Sequence, residues 1–165
     1  MPKVNSDNPI QSTFTPYDHL PSLKTVAIGL GIGAGNLLVA KLCFEQMPWL
    51  SDAFKDVYLL PETTSKPLLV GLALVIGVVA PFFDEAQYRA DLEKPTGQEI
   101  LMKCTFYGAI QGLLPCSSVE TRVARVFLST IAAFFYTTAR ITADDVWASA
   151  IAHSLCNLYA LKSYF

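Results

Sequence analysis

Long stretches without a charged residue alternate with polar segments along most of this chain. The five uncharged stretches are residues 25–40, 67–83, 104–119, 126–139 and 146–161. A helix that crosses a bilayer needs about 20 mostly apolar residues, and lysines at its ends can extend their ammonium groups to the headgroups. The pattern therefore predicts an all-α fold, a polytopic transmembrane helical bundle with about five spans. Four spans and a soluble helical bundle are the alternatives.

The first apolar stretch carries glycine at every second position from Gly29 to Gly35. Gly31 and Gly35 have the spacing that lets a second helix approach closely. The run GLGIGAG also resembles part of a dinucleotide-binding fingerprint, but that fingerprint follows a strand and opens a helix. Since these glycines lie inside an apolar stretch, we expect helix packing rather than nucleotide binding.

The polar segments predict the organisation of the chain. Residues 1–22 are polar and contain four prolines, which is typical of a flexible or interfacial tail. Residues 23–165 then form one transmembrane helical domain. The first apolar stretch starts too late in the chain for a cleavable secretory signal. We expect the second membrane span to end near Pro81, where the sequence turns polar, and Pro95 and Gly97 mark the break that follows.

Composition narrows the classes of partner. Of the 165 residues, 52% are hydrophobic and 16% are charged, whereas soluble domains average about 25% charged residues. This deficit indicates that membrane lipid is a partner. The net charge of -2 gives no basic patch, so we expect no nucleic acid partner. The four cysteines lie far apart without a Cys-x-x-Cys pair, which argues against a disulfide framework or a zinc knuckle.

Polar residues at membrane depth are costly unless they have partners or a function. Glu85 and Arg89 have the i, i+4 spacing of a helical ion pair, with the acid on the favourable N-terminal side. Asp84 lies about 100° around the helix from Glu85, so its carboxylate can face a cavity while Arg89 neutralises its neighbour. The alternative is an ordinary helix end at the membrane surface.

Two further polar groups lie in later apolar stretches. Gln111 follows Tyr107 by one helical turn, and His153 shares a helix face with Asn157 and Ser149. Glutamine commonly joins membrane helices through hydrogen bonds, and a neutral imidazole in a membrane must find a partner. Each group is therefore either interhelical packing or part of a functional cavity.

The order Asp84-Glu85-x-x-x-Arg89, aromatic-Gly-x-x-Gln and His153-x-x-x-Asn157 resembles the CPBP family of intramembrane proteases. That family includes the type II CAAX prenyl endopeptidases and proteins linked to bacteriocin processing or self-immunity. Its motifs read Glu-Glu-x-x-x-Arg, Phe-x-x-x-His and His-x-x-x-Asn. The resemblance covers residues 67–165, and VWASAIAHSLCNLYAL is similar to the family's last core helix.

The resemblance implies a role for each matched residue. The implied catalytic residues are Asp84, Glu85, Gln111, His153 and Asn157, with Arg89 and Tyr107 in support. In the family, the glutamate at the position of Asp84 is thought to activate a water. The histidines and the asparagine are thought to hold that water or to stabilise the oxyanion. The family is often labelled as metalloproteases; if a divalent metal takes part here, Asp84 and His153 are its ligands, and no cofactor is certain.

Two departures from the family pattern bear on activity. Aspartate is shorter than glutamate, so the base retreats by roughly 1 Å, and such a misplacement can cost on the order of 100-fold in rate. Gln111 cannot accept a proton at neutral pH and is a poor zinc ligand, although it can donate a hydrogen bond to an oxyanion. There is also no His-Glu-x-x-His segment. These departures leave an impaired enzyme and a pseudoenzyme as alternatives.

The expected function is an intramembrane endopeptidase that hydrolyses a peptide bond in a membrane-associated peptide or protein substrate. The alternative is a catalytically inactive relative that binds a membrane peptide or lipid. A small transporter, with Asp84 and His153 relaying protons, is less favoured because no inverted repeat is visible. A serine protease using Ser117 or Ser118 has no supporting motif. The expected location is a multi-pass position in a membrane, by family analogy the bacterial inner membrane.

Overall fold

The computed structural model describes residues 17–55, 65–92 and 94–161, with only the backbone described at residues 54 and 55. Within these residues all regular structure is helical and there is no strand. The helices are α1 (Leu23–Gln46), α2 (Pro48–Lys55), α3 (Lys66–Arg89), α4 (Gly97–Leu113), α5 (Val119–Ala143) and α6 (Val146–Leu161). Most of the predicted N-terminal tail, residues 1–16, lies outside the described residues.

Three helices, α1, α3 and α5, are long and apolar enough to cross a membrane, judged by length and composition. Large apolar side chains are exposed on the outside of all five long helices. Examples are Leu38 in α1, Leu74 in α3, Phe106 in α4, Phe127 in α5 and Leu158 in α6. Soluble monomers rarely expose apolar surface on this scale. The outer face of the bundle therefore suits lipid, and the chain is a membrane protein.

α1 packs along α6 in the parallel direction. A Cβ atom at Gly29 would lie 2.8 Å from the carbonyl oxygen of Ala148, and one at Gly33 would lie 3.1 Å from the Cα of Ala152. Close approach therefore depends on Gly29 and Gly33, whereas Gly31 faces open space. The prediction that Gly31 helps form the packed face was wrong. The pair Gly29 and Gly33 has the same spacing as the pair Gly31 and Gly35, and spacing alone does not reveal which face of the helix turns towards its neighbour.

The remaining long helices alternate in direction. α3 runs antiparallel to α6, because Gly77 lies against Leu158 towards one end and Glu85 contacts His153 towards the other. α4 and α5 are antiparallel neighbours. The chain therefore passes back and forth through the bundle, with α1, α4 and α6 in one direction and α3 and α5 in the other.

α3 continues through Pro81 to Arg89, as the helical spacing of Glu85 and Arg89 predicts. A π-helical turn, Val75–Val79, precedes the proline, and the Ala80 N–H donates to the carbonyl five residues earlier. In this register the next carbonyl, that of Ile76, would need the N–H that proline lacks. Asn157 Nδ2 of α6 donates to that carbonyl at 3.0 Å. The helix continues because α6 supplies the missing donor.

The loops on both sides of α5 follow local sequence signals. α4 ends two residues before Pro115, so the predicted apolar stretch 104–119 is not one continuous helix. α5 ends at Ala143, and the capping residue Asp144 has a φ of 54°, the left-handed conformation that aspartate adopts more readily than most residues. The Asp145 carboxylate then accepts a hydrogen bond from the N–H of Trp147 at the start of α6. This tight connection fixes α6 against α5.

Candidate functional site

A cavity of about 750 Å³ lies among α1, α3, α4, α5 and α6. Most residues around it are apolar. The polar residues around it include Asp84, Tyr107, Gln111, His153 and Asn157. The fold therefore brings to one cavity residues from all three polar groups that the sequence singles out, although they lie up to 73 positions apart.

Glu85 and Arg89 form the ion pair that their spacing predicts, buried beside the cavity. Arg89 Nη1 donates to Glu85 Oε1 at 2.7 Å, and neither side chain exposes more than 2% of its surface. Arg89 Nε also donates to Thr137 Oγ1 at 3.1 Å. The guanidinium carbon lies 5.1 Å from the ring centre of Tyr107 and 5.5 Å from that of Tyr136. These additional contacts offset the desolvation of a pair that is fully removed from water.

Glu85 also orients His153. The imidazole Nδ1 lies 2.9 Å from Glu85 Oε1, and because an ionised carboxylate only accepts, Nδ1 carries the proton. Nε2 is left to face the cavity. The ring of Tyr136 stacks on the imidazole at 4.5 Å and 16°. A carboxylate that fixes the tautomer of a histidine in this way prepares the second nitrogen to exchange a proton or to hold a water.

The Tyr107 hydroxyl lies between Asp84 and His153. It donates to Asp84 Oδ2 at 3.3 Å and lies 3.4 Å from His153 Nε2. The next residue, Gly108, lies so close to Thr130 of α5 that a side chain would not fit, which fixes the rotation of α4. A carboxylate, a phenol and an imidazole therefore meet at one point of the cavity wall.

Asn157 and Gln111 are placed differently from the other predicted residues. Asn157 lines the cavity, but its Nδ2 donates to the Ile76 carbonyl, so one of its two amide hydrogens is engaged in the fold. Gln111 lies at the cavity one turn after Tyr107. Among the described residues, no hydrogen bond joins its amide to Asp84 or His153. The predicted roles of these two residues in oxyanion binding remain predictions.

The residues around the cavity do not fit a zinc site. Zinc sites take three or four protein ligands, and the resemblance leaves only Asp84 and His153. Within the described parts of the chain, no three His, Cys, Asp or Glu side chains are grouped to hold an ion. The chemistry below is therefore derived from the side chains alone.

α5 supplies partners that the sequence analysis did not single out, chiefly Tyr136 and Thr137. Tyr136 contacts both His153 and Arg89, and Thr137 accepts from Arg89. The sequence signal for Tyr136 and Thr137 is weak. They are adjacent polar side chains inside an apolar helix, where buried polar groups require partners. Nothing in the local pattern indicates which helix those partners come from.

Residues 17–22, here called the N-terminal strap, pack across the end of the bundle where α5 leads into α6. The Tyr17 hydroxyl donates to the carbonyl of Phe82 at 2.8 Å, and the Tyr17 ring contacts both Phe82 and Trp147. Trp147 Nε1 donates to the His19 carbonyl at 2.8 Å. His19 Nε2 lies 3.3 Å from Asp145 Oδ2. Since Phe82 precedes Asp84 by two residues, the strap lies against the part of α3 that is next to the site.

Compared with models of known protein families, with curated proteins and with solved structures, the chain shows no match. The function proposed below therefore rests on the geometry of this site and on the motif resemblance.

Proposed function

We propose that this chain is an intramembrane endopeptidase related to the CPBP family. Asp84 would act as general base on a water that attacks a peptide bond in a membrane-associated substrate. The observation that carries this proposal is the convergence of Asp84, Tyr107 and His153 on one cavity inside a lipid-facing helical bundle. The tautomer of His153 is set by a buried carboxylate. Burial of a charged group costs free energy, which a residue with only a packing role does not require.

The proposed reaction uses each side chain according to its chemistry. Asp84 removes a proton as the water attacks the carbonyl carbon of the substrate. His153 Nε2, facing the same space, holds the water or, when protonated, donates to the oxyanion and the leaving amine. Gln111 offers an amide donor on α4, one helical turn after Tyr107. Glu85 and Arg89 keep His153 in position and do not contact the substrate.

The rate of this enzyme would be low. Asp84 reaches less far than the glutamate of the family motif, and Gln111 replaces a residue that can accept a proton. General acid–base catalysis contributes about 100- to 10,000-fold, so partial loss of it leaves a slow but measurable reaction. A low turnover is therefore part of the proposal.

The proposed membrane arrangement has five crossings, made by α1, α3, α4, α5 and α6. The alternating helix directions support it, as do the exposed apolar side chains on each helix. α4 and α6 would be about 25 Å long, slightly less than the roughly 30 Å of the hydrocarbon core, and local thinning accommodates such a difference. The polar N-terminal tail would then lie at the membrane surface or in water. By family analogy the membrane is the bacterial inner membrane.

A second candidate is a non-enzymatic relative that binds a membrane peptide or lipid chain in the cavity. The largely apolar lining supports it, as does the engagement of Asn157 with the Ile76 carbonyl, which leaves fewer free donors for an oxyanion. In this case Asp84 and His153 would fix only the orientation of the ligand.

One double substitution separates the two candidates. Asp84→Glu with Gln111→His restores the residue types of the family motif, and it should raise hydrolysis of a fluorescence-quenched library of apolar peptides in proteoliposomes by at least about 10-fold. Asp91→Glu with Gln98→His makes the same chemical changes at exposed positions outside the cavity and should not. If neither double variant nor the native protein cleaves any peptide, the binding function is favoured and the peptidase proposal fails.

A further inference from the structure

The Tyr107 hydroxyl has one proton and two neighbours that can accept it. Asp84 Oδ2 lies 3.3 Å away and His153 Nε2 lies 3.4 Å away. With the Nδ1 proton of His153 held by Glu85, a neutral imidazole presents only a lone pair at Nε2. Both contacts of the hydroxyl become hydrogen bonds only if one additional proton resides on either Asp84 or His153.

We propose that Tyr107 relays this proton between Asp84 and His153. In one state Asp84 is ionised and accepts from Tyr107, while the imidazolium Nε2–H donates to the phenol oxygen. In the other state Asp84 is protonated and donates to the phenol oxygen, while the hydroxyl donates to neutral Nε2. The two states differ by one proton moved along two hydrogen bonds, and the total charge is unchanged.

The surroundings of Tyr107 hold the hydroxyl in this position. The residue is 3% exposed, so bulk water does not compete for its hydroxyl. Its ring lies edge-on to Tyr88 at 5.3 Å and faces the Arg89 guanidinium at 5.1 Å. The family motif has phenylalanine at this position, so the relay is a property of this chain and not of the resemblance.

The relay rests on the proposed function for its use, and it supplies a step that the hydrolysis needs. Asp84 takes a proton from the attacking water, and the hydroxide adds to the carbonyl carbon. The His153 imidazolium donates its Nε2 proton to the leaving nitrogen as the C–N bond breaks, which leaves Asp84 protonated and His153 neutral. The proton of Asp84 then passes to the phenol oxygen as the phenol proton passes to His153 Nε2, and the first state is restored. The water thus supplies the hydroxyl of the carboxylic acid product and one hydrogen of the amine product. Asp84, Tyr107 and His153 return to their starting states.

A spectroscopic double-mutant cycle tests the relay without any substrate. The protein is labelled with ¹⁵N-histidine and carries His19→Gln, so that His153 is the only histidine of the two in the chain. At constant pH, Asp84→Asn should change the ¹⁵N shift of His153 Nε2 in the Tyr107 protein. The same substitution should have little effect on the Nε2 shift in a Tyr107→Phe background, because phenylalanine has no hydroxyl to join Asp84 to His153. Tyr88→Phe is the control, since its ring contacts Tyr107 but its hydroxyl is not part of the relay.

An equal change with Tyr107 present and in the Tyr107→Phe background would overturn the relay, because Asp84 would then reach His153 by another route. No change in either background would overturn it as well. Where hydrolysis is detected, Tyr107→Phe should lower kcat about 100-fold with little change in KM. An unchanged kcat would also count against the relay. Coupling that persists in a protein without hydrolysis would support the relay while removing the proposed function.

Discussion

Glu85 is the residue on which the site depends most. Its Oε1 atom accepts from Arg89 at 2.7 Å and from His153 Nδ1 at 2.9 Å, so one buried carboxylate neutralises a guanidinium and fixes an imidazole. The side chain is fully buried, and its charge is tolerated only because Arg89 is held by α5 as well. Loss of the carboxylate would leave Arg89 as an uncompensated buried charge.

Glu85→Gln should therefore destabilise the protein by about 3 kcal/mol, the low end of the cost of breaking a buried pair. Glu45→Gln is the matched control, because the Lys41–Glu45 pair has the same i, i+4 spacing and is mostly exposed. That change should cost less than about 0.5 kcal/mol. Unfolding in detergent micelles measures both. Similar losses for the two variants would mean that the Glu85–Arg89 pair does not stabilise the fold.

The same residues indicate what the sequence could predict about the site. Helical spacing predicts the Glu85–Arg89 pair and the shared cavity of His153 and Asn157. Each of these two pairs lies within a single helix, so its spacing fixes which face it occupies. Thr137 and the Ile76 carbonyl could not be predicted as partners. Such contacts depend on how helices are rotated and shifted against one another, which local spacing does not encode.

At the scale of the helices, α3 shows how a tertiary contact overrides a local signal. A proline inside a helix usually breaks or kinks it, yet α3 continues through Pro81 because its π-helical turn directs the unpaired carbonyl of Ile76 towards Asn157. The continued helix is what carries Asp84 and Glu85 into the bundle. The resemblance implies a catalytic role for Asn157, whereas the geometry gives it a structural contact with α3, the helix that carries Asp84.

A second double-mutant cycle measures this contact. Asn157→Leu should destabilise the protein by about 1–3 kcal/mol, because the Ile76 carbonyl loses its donor. In a Pro81→Ala background residue 81 provides an N–H, so the same change should cost about 1 kcal/mol less. Thermal unfolding of the four proteins in micelles gives the coupling. Additive effects would show that Asn157 does not compensate for the proline.

At the scale of the whole molecule, the N-terminal strap joins residues 17–22 to the loop between α5 and α6 and to the start of α6. Hydrogen bonds to Asp18 and then to Asp145 raise the pKa of His19 above its ordinary value of 6.5. Asp18 belongs to the strap itself, whereas Asp145 lies in the α5–α6 connection, so the bond to Asp145 is the one that favours the protonated imidazole in the docked state. Its contribution to docking is complete below the ordinary pKa and is lost as pH rises through the raised pKa. We expect the strap to bind best at mildly acidic pH.

Trp147 fluorescence reports this docking, because the indole packs on Tyr17 and donates to the His19 carbonyl. In a Trp49→Phe background Trp147 is the only tryptophan. Its emission should shift to longer wavelength as pH rises from about 5.5 to about 8.5, the range in which histidine titrates. The shift should vanish in His19→Gln and move to lower pH in Asp18→Asn. A pH dependence that survives His19→Gln would contradict this account.

The central claim is that Asp84 is the base of a peptidase within the membrane. Its most direct test compares purified native protein with Asp84→Asn in proteoliposomes that contain the fluorescence-quenched apolar peptide library. We predict slow cleavage by the native protein, a loss of about 100-fold or more in Asp84→Asn, and no loss in Asp91→Asn, which removes an exposed carboxylate from the same region. Equal cleavage by native protein and Asp84→Asn, with both folded, would contradict the claim.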